Sequence, residues 1–296
     1  MKETLTEYGQ QIDATAMVAP PDVTELELEP GHPGLGDAEY IERRKYLFDL
    51  CRRHRLEKLG PPVIEYTPEE TRIWREVSPK LDELHQAHAS EIYLKAKRDL
   101  AITRETIPQL RDISDRVQRE TRMHLVPAEG ALPYRTFYEY IAERGFPVTQ
   151  FLRHGSHPEF TPEPDMIHDC LGHCPPLMNR DYAELLTLIG KAASATPRGD
   201  QVLALKRFSW FSIEFGLIAE HGQTRVFGAG ILSSTGEIPF SLFSPDVTRR
   251  PFVTADVIAQ DYDPSHMQVN LFVAPSFAFL RHELEGLVRR FGIPVL

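Results

Sequence analysis

Apolar residues recur at helical spacing through most of the first half of the chain. From Asp37 to about Leu59, Tyr40, Ile41, Tyr46, Leu47 and Leu50 repeat in this way, with Glu42, Arg43, Arg44, Arg52 and Arg55 on the wet side. That pattern predicts an amphipathic helix. Thr67-Pro68-Glu69-Glu70 carries the start signals of a second: a capping threonine, proline at the first helical position and glutamate at the third. This helix should run to about Ala89 and bury Ile73, Trp74, Val77, Leu81 and Leu84. The same periodicity predicts helices over 91–100, 105–122 and 134–144. Residues 1–35 have no sustained period and contain Ala19-Pro20-Pro21, Pro30-Gly31 and His32-Pro33-Gly34, so they read as an extended arm. Residues 36–296 read as one domain.

Several stretches break the helical pattern. Residues 123–133 hold Pro127, Gly130 and Pro133 among small apolar residues, which predicts a loop with free backbone amides. Such a loop serves either as plain connection or as the lining of a flat ligand, with Phe137 on the next helix as a stacking ring. Residues 150–155 read as a short strand or extended segment ending at Gly155. Thr161-Pro162-Glu163-Pro164-Asp165 is a rigid turn, since a residue before proline is pushed out of the helical region. A helix then starts near Asp165, whose side chain suits a cap, and ends near Gly172 and Pro175-Pro176. Another helix follows from Asp181 to about Ala193, and a strongly apolar helical run covers 208–217.

Composition narrows the function. At 296 residues and 42% hydrophobic, the chain can bury a sizeable core. A net charge of -10 argues against nucleic acid and anionic membrane surfaces, both of which attract basic patches. Cys51, Cys170 and Cys174 make no disulfide framework, which fits a reducing compartment. There is no long apolar run and no signal pattern at the start, so a cytoplasmic location is expected.

Candidate chemistry gathers in two places. His168 and His173 lie five residues apart, about 140° around an ideal helix. They share a metal only if the helix ends or unwinds between them, and ordinary packing is the commoner role for an isolated pair. Cys170 and Cys174 raise the alternative of a His/Cys zinc site, although their spacings are not those of a Cys-x-x-Cys unit. Glu214 sits within the apolar run, with Trp210 one turn before it, and a buried carboxylate there needs a cationic partner or a metal. Arg225 is a candidate for the former. In the latter case two histidines and a carboxylate make a facial triad, which points to non-haem Fe(II) and dioxygen chemistry.

Taken together these motifs resemble the catalytic domain of the pterin-dependent aromatic amino acid hydroxylases. The match is carried by Arg153-His154-Gly155, Thr161-Pro162-Glu163-Pro164-Asp165, the segment holding His168 and His173, residues 210–217, and Gly228-Ala229-Gly230-Ile231-Leu232-Ser233-Ser234. Weaker matches reach His32-Pro33-Gly34, Arg43-Arg44-Lys45 and Ile107-Pro108-Gln109-Leu110, and coverage is roughly residues 20–290. The resemblance implies a mainly α fold with a few short β-strands, Fe(II), O2 and a tetrahydropterin co-substrate. By matching position, His168, His173 and Glu214 are the iron ligands. Arg153 grips the substrate carboxylate and Asp165 holds that arginine. Thr161, Gly230 and Ser233 line the amino acid backbone pocket, with Pro164 and Trp210 as its apolar walls. Gly130, Ala131 and Leu132 present amides to the pterin, on which Phe137 stacks.

The resemblance implies ring hydroxylation of an aromatic amino acid, foremost phenylalanine to tyrosine. Hydroxylation at the meta carbon, or of tyrosine or tryptophan, is the alternative, and a family member that binds metal without turnover is a reading of another class. A zinc hydrolase is disfavoured because no His-Glu-x-x-His helix exists. The departures from the family pattern are Asp169 in place of a glutamate, Ser209 in place of a tyrosine, and Pro264 and Met267 in a loop that helps choose the substrate. The chain end at Leu296 lacks the family's oligomerisation arm, so a monomer is expected.

Overall fold

The computed structural model describes residues 4–7, 10–13, 26–159, 161–264 and 266–295. Where the sequence predicted an extended arm, β1 (Thr4–Glu7) and β2 (Gln10–Asp13) pair antiparallel; residues 14–25 lie outside the described residues. Residues 26–37 are irregular. They are pinned by buried His32, whose Nδ1 accepts from the Gly34 amide at 2.9 Å and whose Nε2 lies 3.5 Å from Glu163.

The predicted helices of the first half are present. They are α1 (Ala38–Leu56), α2 (Pro68–His88), α3 (Glu91–Asp99) and α4 (Leu110–Thr121). The capping box that opens α2 is complete: the Glu70 amide donates to Thr67 Oγ1 at 3.1 Å, and the Thr67 amide to Glu70 Oε2 at 2.7 Å. Its inner face buries Ile73, Trp74, Val77 and Leu81, each worth roughly 1.5–3 kcal/mol as a large side chain removed from water. Helix α4 starts five residues later than the predicted 105, because Pro108 keeps Ile107 out of the helical region. Gln109 precedes it and its amide instead pairs with the Ile64 backbone, at 2.9 and 3.0 Å.

Next comes a parallel pair. β3 (His124–Pro127) and β4 (Gly145–Val148) flank α5 (Tyr134–Ala142), with His124 opposite Gly145 and Pro127 opposite Val148. The strand predicted at 150–155 therefore lies earlier, and 150–155 is irregular. The loop predicted over 123–133 begins only after β3. Helix α6 (Arg180–Ala195) runs through the core, burying Tyr182, Leu185, Leu186, Ile189 and Ala192.

Helix α7 (Gly199–Ser209) leads to β5 (Leu217–Glu220) and β6 (Gln223–Val226), joined by a tight turn with positive φ at His221 and Gly222. Then follow α8 (Ala229–Leu232), α9 (Glu237–Phe243), β7 (Thr248–Pro251), α10 (Thr254–Ala259), β8 (Asn270–Ala274) and α11 (Phe277–Phe291). The strands form a sheet in the order β6-β5-β8-β7, parallel except for the β5–β6 hairpin. Almost all the large buried side chains, from Ile73 to Ile293, form one continuous core. No helix among the described residues is long and apolar enough to cross a membrane.

Candidate metal centre and substrate cavity

Two short π-helical turns build the centre. One spans His168–His173 and the other Trp210–Glu214. Each closes on a bond to the carbonyl five residues back: the Cys174 amide to Asp169 O at 3.0 Å, and the Phe215 amide to Trp210 O at 2.8 Å. For the two histidines to share a metal, an ideal helix would have to end or unwind between them. It unwinds by widening, and a turn closed five residues back brings residues five apart onto one face. The first turn is capped by Asp165, whose Oδ1 accepts from the His168 amide at 3.1 Å. It packs so tightly on α8 that a Cβ at Gly172 would lie 2.8 Å from Ala229 O, so only glycine fits.

His168 Nε2 and His173 Nε2 are 3.0 Å apart. Glu214 Oε1 is 3.3 Å from His173 Nε2, and Oε2 is 3.8 Å from His168 Nε2. The three ligand atoms lie within 4.8 Å of one another, and neither cysteine belongs to the cluster. Cys170 and Cys174 are buried, and burial raises both thiols, so they act as packing groups rather than zinc thiolates. Arg225 does not pair with Glu214, since its guanidinium donates to Ala87 O.

The protonation pattern suits a cation. Ser233 Oγ donates to Ala229 O at 2.8 Å and so accepts from His168 Nδ1 at 2.9 Å. This places the proton on Nδ1 and the lone pair of Nε2 toward the cluster. Burial, and then His173, lower His168 to about 4. Burial would also lower His173, but Glu214 outweighs it and raises the imidazole. Burial would raise Glu214, but His173 outweighs it and holds the carboxylate below its ordinary value. Two imidazole nitrogens and a carboxylate converging at a cavity fit a divalent iron held on one face, with the other positions open.

The cavity carries most of the predicted ring and pterin residues. Gly130, Ala131, Leu132 and Phe137 line it together with His168, His173 and Glu214 and with Pro164 and Trp210. Phe137 meets Phe146 edge to face, and Phe146 packs on His173 with centroids 4.8 Å apart. Trp210 stacks on Tyr262 at 4.1 Å and 13° and leans on Phe215. Gly230 backs this wall, because a Cβ there would lie 2.6 Å from the Phe215 ring.

Four predicted residues, Arg153, Asp165, Thr161 and Ser233, are not among those that line the cavity, and Asp165 holds Arg153 as expected. Arg153 is 4% exposed and does not line the cavity. Its Nε and Nη2 donate to Asp165 at 2.8 Å each, and Nη1 to Pro158 O at 3.3 Å. Asp165 is fully buried, and the arginine beside it outweighs burial and keeps its carboxyl low. Thr161 Oγ1 donates to Glu163 O at 2.6 Å, which shapes the proline turn. Glu163 in turn anchors the turn to α1 through Arg44 at 2.7 Å. The Ser233 hydroxyl is committed to His168.

Tyr262, Gln268, Phe146 and Lys206 were missed by the sequence reading. Gln268 takes the Trp210 indole N–H at 3.1 Å and donates to the carbonyls of Asp263 and His266, so it ties the 263–267 loop to the cavity wall. None has a local signal; Tyr262, for example, is a lone aromatic in a polar stretch. Of the departures from pattern, Ser209, Pro264 and Asp169 line the cavity, Asp169 also accepting from the Thr149 hydroxyl, while Met267 is exposed.

Comparison with known proteins places this architecture. The profile of the biopterin-dependent aromatic amino acid hydroxylases matches residues 10–294. A chloroplastic phenylalanine 4-monooxygenase of Pinus taeda is 40% identical over 264 residues, covering 88% of this chain and 73% of that protein. Tyrosine 3-monooxygenase of Bos taurus is 35% identical over 274 residues; the match covers 90% of this chain but only 55% of the bovine one. The chain thus spans about half the length of that relative. Phenylalanine hydroxylase of Chromobacterium violaceum, solved with iron(III) and oxidised 7,8-dihydrobiopterin, superposes with a TM-score of 0.72 at 27% identity, covering 82% of this chain and 92% of that one. The chain belongs to the biopterin-dependent aromatic amino acid hydroxylase family.

Proposed function

We propose that this protein hydroxylates the ring of L-phenylalanine to give tyrosine, with Fe(II), O2 and a tetrahydropterin. The observation that carries the reading is the convergence of His168, His173 and Glu214 in a cavity lined by aromatic rings. In this reading the three side chains hold the iron, which with the reduced pterin supplies the activation of O2. Ser233 keeps His168 in the tautomer that ligates. Gly130, Ala131 and Leu132 offer backbone amides to the pterin edge, and Phe137 stacks on its ring. Pro164 and Trp210 confine the substrate ring, with Tyr262 and Gln268 fixing the indole. Arg153, aimed by Asp165, offers its remaining N–H groups to the substrate carboxylate, while Thr161 and Gly230 shape the backbone pocket. Enclosure by these apolar walls keeps water from the reacting centre.

Trp210 favours a phenylalanine- or tyrosine-type pocket over the tryptophan type, and the choice of phenylalanine between them is supported by the phenylalanine hydroxylases among the relatives. The test is incubation with Fe(II), a tetrahydropterin, O2 and each aromatic amino acid in turn, with products identified by mass spectrometry and NMR. Tyrosine from phenylalanine is expected. A meta product would move the oxidised carbon, and no hydroxylated product from any of them sinks the reading.

A further inference from the structure

His85 on α2 and Tyr93 and Lys97 on α3 are buried polar side chains that neither belong to the ligand cluster nor line the cavity. Their hydrogen bonds run in one direction. Lys97 Nζ, paired with Asp82 Oδ1 at 2.7 Å, lies 3.1 Å from His85 Nδ1. An ammonium can only donate, so Nδ1 accepts and the imidazole carries its proton on Nε2. Nε2 donates that proton to Leu232 O at 2.6 Å. Burial, and then Lys97, lower the imidazole to about 3, so it stays neutral and keeps this tautomer. The Tyr93 hydroxyl, 3.2 Å from the same Nδ1, donates to Leu171 O at 2.6 Å.

Both carbonyls lack a donor from their own helix. Leu171 is followed at the helical positions by Pro175 and Pro176, which have no N–H, and the Cys174 amide is taken by Asp169 O. Leu232 ends α8, and the amides of Ser233 and Ser234 go to Ala229 O and Ile231 O. Leu171 lies between His168 and His173 in the ligand turn, while Leu232 immediately precedes Ser233, which accepts from His168 Nδ1. One buried cluster thus grips both the turn that carries two ligands and the helix end that orients the first of them. We propose that His85, Lys97 and Tyr93 are positioning residues of the metal centre, holding Ser233 in register with His168. The proposal rests on the reading of His168, His173 and Glu214 as iron ligands.

The test is a double-variant cycle on Fe(II) affinity, read beside the visible d–d absorption of the cobalt(II)-loaded protein. Lys97→Met keeps the apolar stem and removes the donor that fixes His85. It should weaken Fe(II) binding about tenfold, the low end for losing the hydrogen-bond partner of a ligand, and shift the cobalt bands. In a Ser233→Ala background the same change should weaken binding by less than about twofold, because its effect runs through Ser233. A general loosening of the fold would weaken binding by the same factor in both backgrounds. That result, or unchanged affinity and bands in Lys97→Met, overturns the proposal. Should Lys97→Met fail to fold, Tyr93→Phe, which deletes a single hydroxyl, decides it. This variant should shift the cobalt bands and weaken Fe(II) binding several-fold, and unchanged bands with unchanged affinity overturn the role. Failure of the unaltered protein to bind either metal instead overturns the iron reading itself.

Discussion

At the residue scale, the centre depends on how each donor is held as much as on its identity. In the proposed centre His168 offers only Nε2, because a serine hydroxyl already committed to Ala229 O can only accept from its Nδ1. Removing that acceptor with Ser233→Ala should lower iron affinity by about 10- to 100-fold, the range seen when the hydrogen-bond partner of a ligand is lost. Glu214→Gln removes a ligand charge, so it should lower affinity further and abolish ring hydroxylation. Iron retained after dialysis, measured beside turnover, checks both. Unchanged iron affinity in Glu214→Gln would show that the carboxylate is not a ligand.

At the element scale, the active-site parts are tied together by buried charges. The loop that follows β3 is anchored to α1 by Arg55, whose Nε and Nη2 reach Glu129 at 2.9 and 2.5 Å. Both side chains are buried. Breaking one half of such a pair strands the other charge, whereas replacing both with apolar groups removes the desolvation cost as well. Arg55→Met should therefore destabilise the fold by about 3–5 kcal/mol, and Arg55→Met with Glu129→Leu should recover most of that loss. Denaturant unfolding of the single and double variants measures it; an additive double variant would refute the coupling. Because Gly130, Ala131 and Leu132 come next in the chain, the same pair positions the wall of the cavity.

At the scale of the whole molecule, pH acts through a carboxyl outside the His168, His173 and Glu214 cluster. Glu237 at the start of α9 is 9% exposed, and its Oε2 has no hydrogen-bond partner among the described residues. Burial raises it from the ordinary 4.5 to about 7. The folded chain therefore favours the protonated form. Stability from this group is full below the unfolded value of 4.5 and is lost as pH rises through about 7. Glu237→Gln keeps the shape without the charge, so it should be more stable than the unaltered protein at pH 8, by on the order of 1–3 kcal/mol, and no more stable at pH 4. Melting curves at the two pH values decide it, and an equal effect at both would show that the carboxyl does not titrate in this range.

What the sequence determined by itself is what short-range physics dictates. The helices of the first half followed from apolar periodicity, and α2 began where Thr67 and Glu70 could satisfy each other's backbone groups. The two histidines, the glutamate and the proline turn were legible because their residue types are costly or rigid in an apolar setting. Tertiary structure decided whether they meet. An ideal helix separates His168 from His173, and only the packing of Gly172 against α8, with bonding to carbonyls five residues back, brings them together. The sheet of β5 to β8 was equally invisible, since its strands are short and their partners lie far along the chain. Gln268, Tyr262 and Lys206 became part of the cavity for the same reason: a side chain's neighbours across the core are set by long-range contacts, which no local window of residues contains.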